Sequence, residues 1–216
     1  MERVHVEHGV GFNNWLIWGI AGSCAVLLAV LIGLLIWWRM TAIERRSRYL
    51  LASIADRLLR DVAIADGMGG WVVIDAVMLR DRNVYVLDLR DVEGAIFGAE
   101  KMDHWTIIGR HWRSQFQNPL RLMQDRVLAV RALLPELQIS GHVLFSARAK
   151  FPKGRPDAVQ LLEEFAHPLL RTKPKKPVAL DEQIEMLWRR LQDGAEILSR
   201  TQRLRAGAQA TISSGS

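Results

Sequence analysis

The chain has 216 residues, of which 50% are hydrophobic, and carries a net charge of +6 from 29 Lys and Arg against 23 Asp and Glu. This length suits one ordinary domain with appendages. Cys24 is the only cysteine, which excludes a disulfide framework and a thiolate zinc site. The histidines lack metal-ligand spacing, and the sequence contains neither an internal repeat nor a glycine-rich phosphate loop.

An uncharged apolar segment runs from Trp15 to Trp38, with tryptophans near both of its ends. As a helix it would extend about 36 Å, enough to cross a hydrocarbon core of about 30 Å. The segment that follows is rich in arginine, which predicts a cytoplasmic location for residues 39–216. We therefore expect a single-pass, uncleaved inner-membrane anchor at 15–38 and a short non-cytoplasmic tail at 1–14. The arginines are Arg39, Arg45, Arg46 and Arg48.

Small residues recur at every fourth position within this segment, namely Ala21, Ala25, Ala29 and Gly33. Such a stripe lets two membrane helices approach closely, which predicts a homo-oligomer formed through the anchor. The alternative is that small residues are simply common in membrane helices.

The next residues alternate between helical and strand-like patterns. The spacing of apolar residues predicts a helix over 42–60, and the glycines of 66–70 predict a turn. The runs WVVIDAVML and NVYVLDL, separated by RDR, predict an antiparallel hairpin. Further short strands are expected in AIFG, HWTII and HWRSQF.

Asn118 before Pro119 is a strong helix start and predicts a long helix that crosses the sheet. After it come a strand in GHVLFSA and a short helix in DAVQLLEEFAH. These patterns predict an α/β domain over residues 42–168 and a basic, Pro-rich linker over 169–180. Residues 181–216 should supply a last helix, over 181–205, and a disordered tail.

Two aspartates stand on the predicted hairpin, Asp75 in its first strand and Asp88 near the end of its second. Facing side chains of neighbouring strands lie about 5 Å apart, so these carboxylates could converge. Magnesium would relieve their repulsion and activate a water molecule for attack on a phosphodiester. The alternatives are that the two side chains point to opposite faces, or that Arg90 simply pairs with one of them.

Several motifs resemble the nuclease-related domain, the NERD family, in order and spacing over roughly residues 44–165. They are the stretch IDAVMLRDRNVYVLDLRDVEGAIFG, a tryptophan at 105, and FQNPLRLMQDRVLAVRAL. The family pattern is an Ile-Asp-His strand, a strand ending in Glu-x-Lys, a Gly-x-Ile-x-Gly segment, and Asn-Pro with a nearby Gln on a helix.

The resemblance implies a restriction-endonuclease-like core, in which a central mixed sheet is flanked by helices. It implies that Asp75, Asp88 and Glu44 are Mg²⁺ ligands, Glu44 being the weaker match. Arg90 and Gln124 would complete the catalytic set. The family's helix motif matches Gln117, Asn118, Pro119 and Gln124.

The sequence departs from the family pattern at three positions. Asp88 replaces the glutamate and is shorter by one methylene, Arg90 replaces the lysine, and Ala76 replaces the histidine. Arginine stays protonated and is not expected to act as a base, although it can hold a phosphate. These changes predict a degenerate nuclease site.

Two functions are therefore open. One is a membrane-anchored protein that cleaves or binds nucleic acid at the cytoplasmic face of the membrane, as a magnesium-dependent phosphodiesterase if the site is active. The other is a catalytically inactive module of the same fold that binds a protein partner or scaffolds a complex at the membrane.

Overall fold

The computed structural model describes residues 27–28, 30–33, 45–67, 69–172 and 181–197. The chain divides into two units, residues 1–46 and 47–216. In the first unit, residues 27–28 and 30–33 are helical. The predicted tail 1–14, most of the predicted anchor 15–38, and Ala21, Ala25 and Ala29 lie outside the described residues. No helix within the ranges given above has both the length and the apolarity needed to cross a membrane.

The helix predicted over 42–60 is shorter at its C-terminal end than expected. Residues 45–54 are helical (α1), and strand β1 occupies Arg57–Ala65. Adjacent Leu58 and Leu59 fit either a helix or a strand, so their spacing does not decide between them. Antiparallel pairing with the next strand decides it, since Leu58 lies opposite Met78 and Leu59 opposite Val77.

The predicted hairpin is confirmed. Strands β2 (Trp71–Arg80) and β3 (Asn83–Arg90) pair antiparallel. Asp81 and Arg82 form the two-residue turn with φ angles of 47° and 68°. Positive φ at both central residues is the geometry that matches the twist of the flanking strands.

The main sheet has six strands in the order β10-β1-β2-β3-β7-β9. Strand β7 (Gln138–Phe145), predicted from GHVLFSA, runs parallel to β3, and β9 (Val159–Leu161) runs parallel to β7. Strand β2 pairs antiparallel with both β1 and β3, so the sheet contains antiparallel as well as parallel pairs and is mixed, as expected for the α/β class.

A second sheet has the order β6-β5-β4-β8 and includes the three short strands predicted after the hairpin. Its strands are β4 (Gly94–Phe97), β5 (His104–Ile108), β6 (Arg113–Gln117) and β8 (Ala149–Lys150). Trp105 is fully buried and covers Gly98, where a Cβ atom would lie 2.1 Å from the indole ring. The glycine therefore permits this packing.

Three further helices lie within the described residues. The long helix α2 (Pro119–Leu133) begins at Asn118, as predicted. Helix α3 (Leu162–Arg171) includes residues 169–171, which the sequence pattern places in the linker, and residues 173–180 lie outside the described residues. Its first turn follows β9, so the predicted helix DAVQLLEEFAH is in fact a short strand followed by a helix.

The last helix is also shorter than the predicted range 181–205. Helix α4 spans Glu182–Asp193, Gly194 ends it, and strand β10 (Ala195–Ile197) pairs antiparallel with β1. The backbone of residues 195–197 is thus used for sheet pairing, in which Val62 lies opposite Ile197. Residues 198–216 lie outside the described residues.

Helices cover both faces of the main sheet. Side chains of α2, α4 and the second sheet form the core on one face, and those of α1 and α3 form the core on the other. Helix α2 approaches β7 closely at Gly141, where a Cβ atom would lie 2.6 Å from Met123. This close packing holds α2 against the end of the sheet where the aspartates lie.

Candidate functional site

Asp75 and Asp88 face each other across strands β2 and β3. The strands pair as far as Ala76 and Leu87, and the Asp75 and Asp88 side chains one residue further on interact with each other. The backbone N–H of Leu89 donates to Asp75 Oδ2 at 2.8 Å. The convergence predicted from the hairpin is therefore present, and the side chains do not point to opposite faces.

Arg90 pairs with Asp88 on the same strand. Its Nε lies 3.1 Å from both carboxylate oxygens of Asp88, and its Nη2 lies 2.9 Å from Oδ2. The Asp88 side chain is only 3% exposed, and that of Arg90 is 28% exposed. Alternate residues of a strand share a face, which explains why this pair forms within one strand.

A second arginine, which the sequence did not single out, reaches the same carboxylate from helix α2. Arg126 Nη1 lies 2.9 Å from Asp88 Oδ2, and Arg126 Nε donates to the backbone oxygen of Val73 at 2.8 Å. Position 126 lies three residues after Met123 and three before Ala129, both of which are buried. That helical spacing was a signal that Arg126 faces the sheet.

The two aspartates differ in their acidity. Burial, followed by the facing Asp88 carboxylate, raises the pKa of Asp75 to about 6. Burial also opposes ionisation of Asp88, but Arg90 and Arg126 outweigh it and lower the pKa of this carboxyl. Asp88 is therefore the charged member of the pair near neutral and mildly acid pH, while Asp75 readily takes up a proton.

The remaining predicted site residues are not in this group. Gln124 is exposed on α2 and lines a separate cavity of about 580 Å³ with Glu100, Arg131 and Gly141. Glu44 lies outside the described residues. The structure thus brings together Asp75, Asp88 and Arg90, and adds Arg126.

Asn118 is fully buried, and its contacts hold the loop between β4 and β5. Its side-chain Nδ2 donates to the backbone oxygens of Glu100 (2.8 Å) and Met102 (2.7 Å), and its Oδ1 accepts from Leu120 N (3.0 Å). The Asn-Pro motif therefore ties the start of α2 to the loop between β4 and β5. That role is structural, and it fixes the helix that carries Arg126.

The donor set is a poor fit for a magnesium ion. Both oxygens of Asp88 are contacted by guanidinium groups, and Asp75 Oδ2 accepts a backbone N–H. Two carboxylates and two guanidinium groups sum to zero charge, whereas Mg²⁺ needs free anionic oxygens in near-octahedral geometry. Among the described residues, no group of three or more His, Cys, Asp or Glu side chains could hold a metal. The magnesium ion remains a prediction.

Comparisons with known proteins agree with the resemblance noted from the motifs. The chain is 26% identical over 102 residues to an uncharacterized protein of Bacillus anthracis, a match that covers 46% of this chain and 48% of that protein. No solved structure matches. The match to the family model takes in strands β1 to β7 and helix α2, and with them Asp75, Asp88, Arg90 and Arg126. A nuclease-related domain, NERD, is found at residues 41–146.

Proposed function

We propose that the protein binds nucleic acid at the cytoplasmic face of the membrane, and that its acidic site is closed by arginines and does not cleave. The observation that carries this proposal is the contact of Asp88 with both Arg90 and Arg126. The guanidinium groups of Arg90 and Arg126 neutralise the Asp88 carboxylate, which a metal ion would need as a ligand.

Neither arginine supplies the chemistry that a lysine would give. A guanidinium group stays protonated throughout the physiological pH range, so it cannot take a proton from water there. Both arginines are also held in place, Arg90 by two hydrogen bonds from Nε and one from Nη2, and Arg126 by Val73 as well as Asp88. Opening the site would require both guanidinium groups to leave a buried charge, which is costly.

Binding to nucleic acid is supported by two observations. Residues 41–146 match a nuclease-related domain, and the whole chain carries a net charge of +6. Positive charge attracts the phosphate backbone without regard to sequence, and this attraction supplies most of the affinity in non-specific binding.

The membrane location is part of the proposal and rests on the apolar sequence from Trp15 to Trp38 and the arginines that follow it. We propose a single-pass inner-membrane anchor with a cytoplasmic C-terminal domain, and self-association through Ala21, Ala25, Ala29 and Gly33. The protein should stay in the membrane pellet after alkaline carbonate extraction. Release into the supernatant would contradict the anchor.

A second candidate is a magnesium-dependent phosphodiesterase. It is favoured by the position of Asp75 beside Asp88 on adjacent strands, an arrangement that would suit two carboxylate ligands if the arginines withdrew. Asp75 and Asp88 would then hold the metal, and Arg90 would hold the phosphate.

One experiment separates these functions. Full-length protein in a non-ionic detergent is mixed with labelled single-stranded and double-stranded oligonucleotides in EDTA, Mg²⁺ or Mn²⁺. We expect fluorescence anisotropy to give the same affinity in all three conditions, gels to show no cleavage, and calorimetry to show no heat of Mg²⁺ binding.

The contrary outcomes are distinct. Metal-dependent cleavage that disappears in Asp75→Asn, while this variant keeps its cooperative thermal unfolding, would establish the phosphodiesterase. Cleavage that persists in the variant would indicate a contaminating nuclease. A protein that binds no oligonucleotide under any condition would overturn the nucleic-acid proposal and leave a protein partner as the remaining function.

A further inference from the structure

An open cleft of about 770 Å³ lies on the second sheet, away from the buried carboxylates. Its lining comes from the connection into β4, the β5–β6 turn, and the β7–β8 turn, and the side chains that matter are those of Glu93, Ile108, Arg110, Trp112, Arg148 and Lys150. A volume of this size is within the range of pockets that bind small molecules. The cleft combines an aromatic ring, an exposed aliphatic side chain and several cations.

Trp112 is half exposed and packs on the backbone at Gly109. Half of its surface is accessible to solvent, and a Cβ atom at Gly109 would lie 2.4 Å from two atoms of the indole ring. The backbone N–H of Gly109 donates to Trp112 O at 2.9 Å, which closes the turn beneath the ring. The glycine thus lets the indole lie directly on the backbone, while the remainder of the ring is accessible together with Ile108, which is 44% exposed.

The cations of the cleft fall into two kinds. Arg148 is engaged, because its guanidinium contacts Asp91 at 2.7 Å and Glu93 at 3.1 Å. Arg110 and Lys150 are exposed and have no carboxylate partner within the described part of the chain. Among the described residues, the lining contains one acidic side chain, that of Glu93, against the three cationic side chains of Arg110, Arg148 and Lys150, so the cleft is positively charged.

We propose that this cleft binds a single strand of nucleic acid, with an unpaired base stacked on Trp112 and the adjoining phosphates contacted by Arg110 and Lys150. Stacking on an exposed aromatic ring together with backbone contacts from cations is how sequence-tolerant single-strand binding works. A base within a duplex is already stacked on both faces, so it cannot use the ring. The inference rests on the proposed nucleic-acid function and deepens it.

The cleft also lies next to the acidic site along the chain. Asp91, which holds Arg148, directly follows Arg90, and the N–H of Ser146 donates to Arg90 O at 3.0 Å. Arg148 O in turn accepts from Gly94 N at 3.4 Å, where β4 begins. These contacts join the backbone at the cleft to the end of β3 that carries Arg90.

The test measures anisotropy of a labelled poly-dT oligonucleotide with the full-length protein, and with its Trp112→Leu variant. We expect the variant to lose affinity by roughly tenfold, the size of one lost stacking contact. Trp71→Leu is the matched control, because Trp71 is also exposed (56%) but begins β2 outside the cleft, and it should bind as the wild type does. An abasic oligonucleotide of the same length should bind the wild type and Trp112→Leu equally.

A second pair of variants tests the phosphate contacts without disturbing the turn. Arg110→Gln should lower the slope of log affinity against log salt by about 0.7, the value for one phosphate contact on a single strand. Arg131→Gln, an exposed arginine on α2, makes the same change of charge outside the cleft and should leave the slope unchanged. Poly-U in place of poly-dT then tells whether RNA or DNA is preferred.

The results separate the cleft from the wider proposal. If the wild type binds oligonucleotide and Trp112→Leu binds equally well while keeping its thermal unfolding temperature, the cleft is not the site, although the nucleic-acid function stands. If Trp112→Leu lowers the affinity for the abasic oligonucleotide as much as the affinity for poly-dT, the stacking of a base on Trp112 is wrong. If the wild type binds neither poly-dT nor the abasic oligonucleotide, the cleft and the wider nucleic-acid function are both overturned.

Discussion

Arg126 on helix α2 and Asp88 on strand β3 form an ion pair at 2.9 Å within the protein interior. The side chains are 12% and 3% exposed, so neither charge is satisfied by solvent. Arg126 also donates to the backbone oxygen of Val73 on β2. One side chain thus connects α2 to two neighbouring strands of the main sheet, beside Asp75 and Asp88.

Removing this arginine should destabilise the protein strongly. Arg126→Met keeps much of the side-chain volume but leaves Asp88 with Arg90 alone and leaves Val73 O without its donor. We expect a loss of about 2–4 kcal/mol in the free energy of unfolding, because a buried charge loses a partner. Chemical denaturation measures it, and Arg131→Met on the exposed side of α2 should cost less than about 1 kcal/mol. Equal losses in the two variants would contradict the ion pair.

Asp75 should make stability depend on pH. Burial and the Asp88 charge raise the pKa of Asp75 to about 6 in the folded protein, against about 4 in the unfolded chain. Between about pH 4 and pH 6 the folded state therefore binds a proton that the unfolded state has released. The free energy of unfolding should fall as the pH rises through this window and stay lower above it. Asp75→Asn should remove the dependence, so its stability relative to wild type should be greater at about pH 8 than at about pH 4.5.

Two further measurements check this assignment. The pKa of Asp88 is lowered by Arg90 and Arg126 in spite of its burial, so its own contribution to stability is lost only as the pH falls below about 4. In an Asp88→Asn background the facing charge is absent, so the pKa of Asp75 should be raised less. The pH range over which protonation of Asp75 changes the free energy of unfolding should then become narrower. A difference between wild type and Asp75→Asn that is constant over this pH range would show that Asp75 does not titrate there.

Asn118 should tolerate no change that removes its donors. Asn118→Asp keeps an oxygen that can accept from Leu120 N, but it cannot donate to Glu100 O and Met102 O, and it places a charge where the side chain is fully buried. We expect a loss of roughly 3 kcal/mol in the free energy of unfolding.

The matched control is the start of α4, where Asp181 caps the helix from an exposed position. Asp181→Asn makes the reverse change where no donor is required, and Asn and Asp serve equally well at the first position of a helix. It should change stability by less than about 0.5 kcal/mol. If Asn118→Asp is equally mild, the hydrogen bonds to the loop contribute little.

The sequence predicted correctly those helices and strands whose signals lie within a few residues of one another. The hairpin followed from strand-like runs on either side of Asp81 and Arg82, and α2 followed from Asn118 and Pro119. Strands β1 and β10 were missed because their sequences also fit helices, and only pairing between distant residues, such as Val62 with Ile197, decides otherwise. A single sequence contains no direct record of such pairing.

The candidate site was predicted in part for the same reason. Asp75, Asp88 and Arg90 lie on one hairpin, so register and alternation were enough to bring them together. Arg126 comes from a helix that packs across the sheet, and its contact with Asp88 depends on how closely α2 approaches β7 at Gly141. That approach is a property of tertiary packing, which spacing along the chain does not specify.

The order of the main sheet has a practical consequence for anyone dividing this protein. Its two outer strands, β10 and β9, both come from residues beyond 146, where the match to the nuclease-related domain ends. A fragment cut at that boundary would leave the backbone N–H and C=O groups of β1 and β7 unpaired along exposed edges. Such edges are templates for aggregation. The residues after the matched region therefore protect the sheet, and soluble expression should require them.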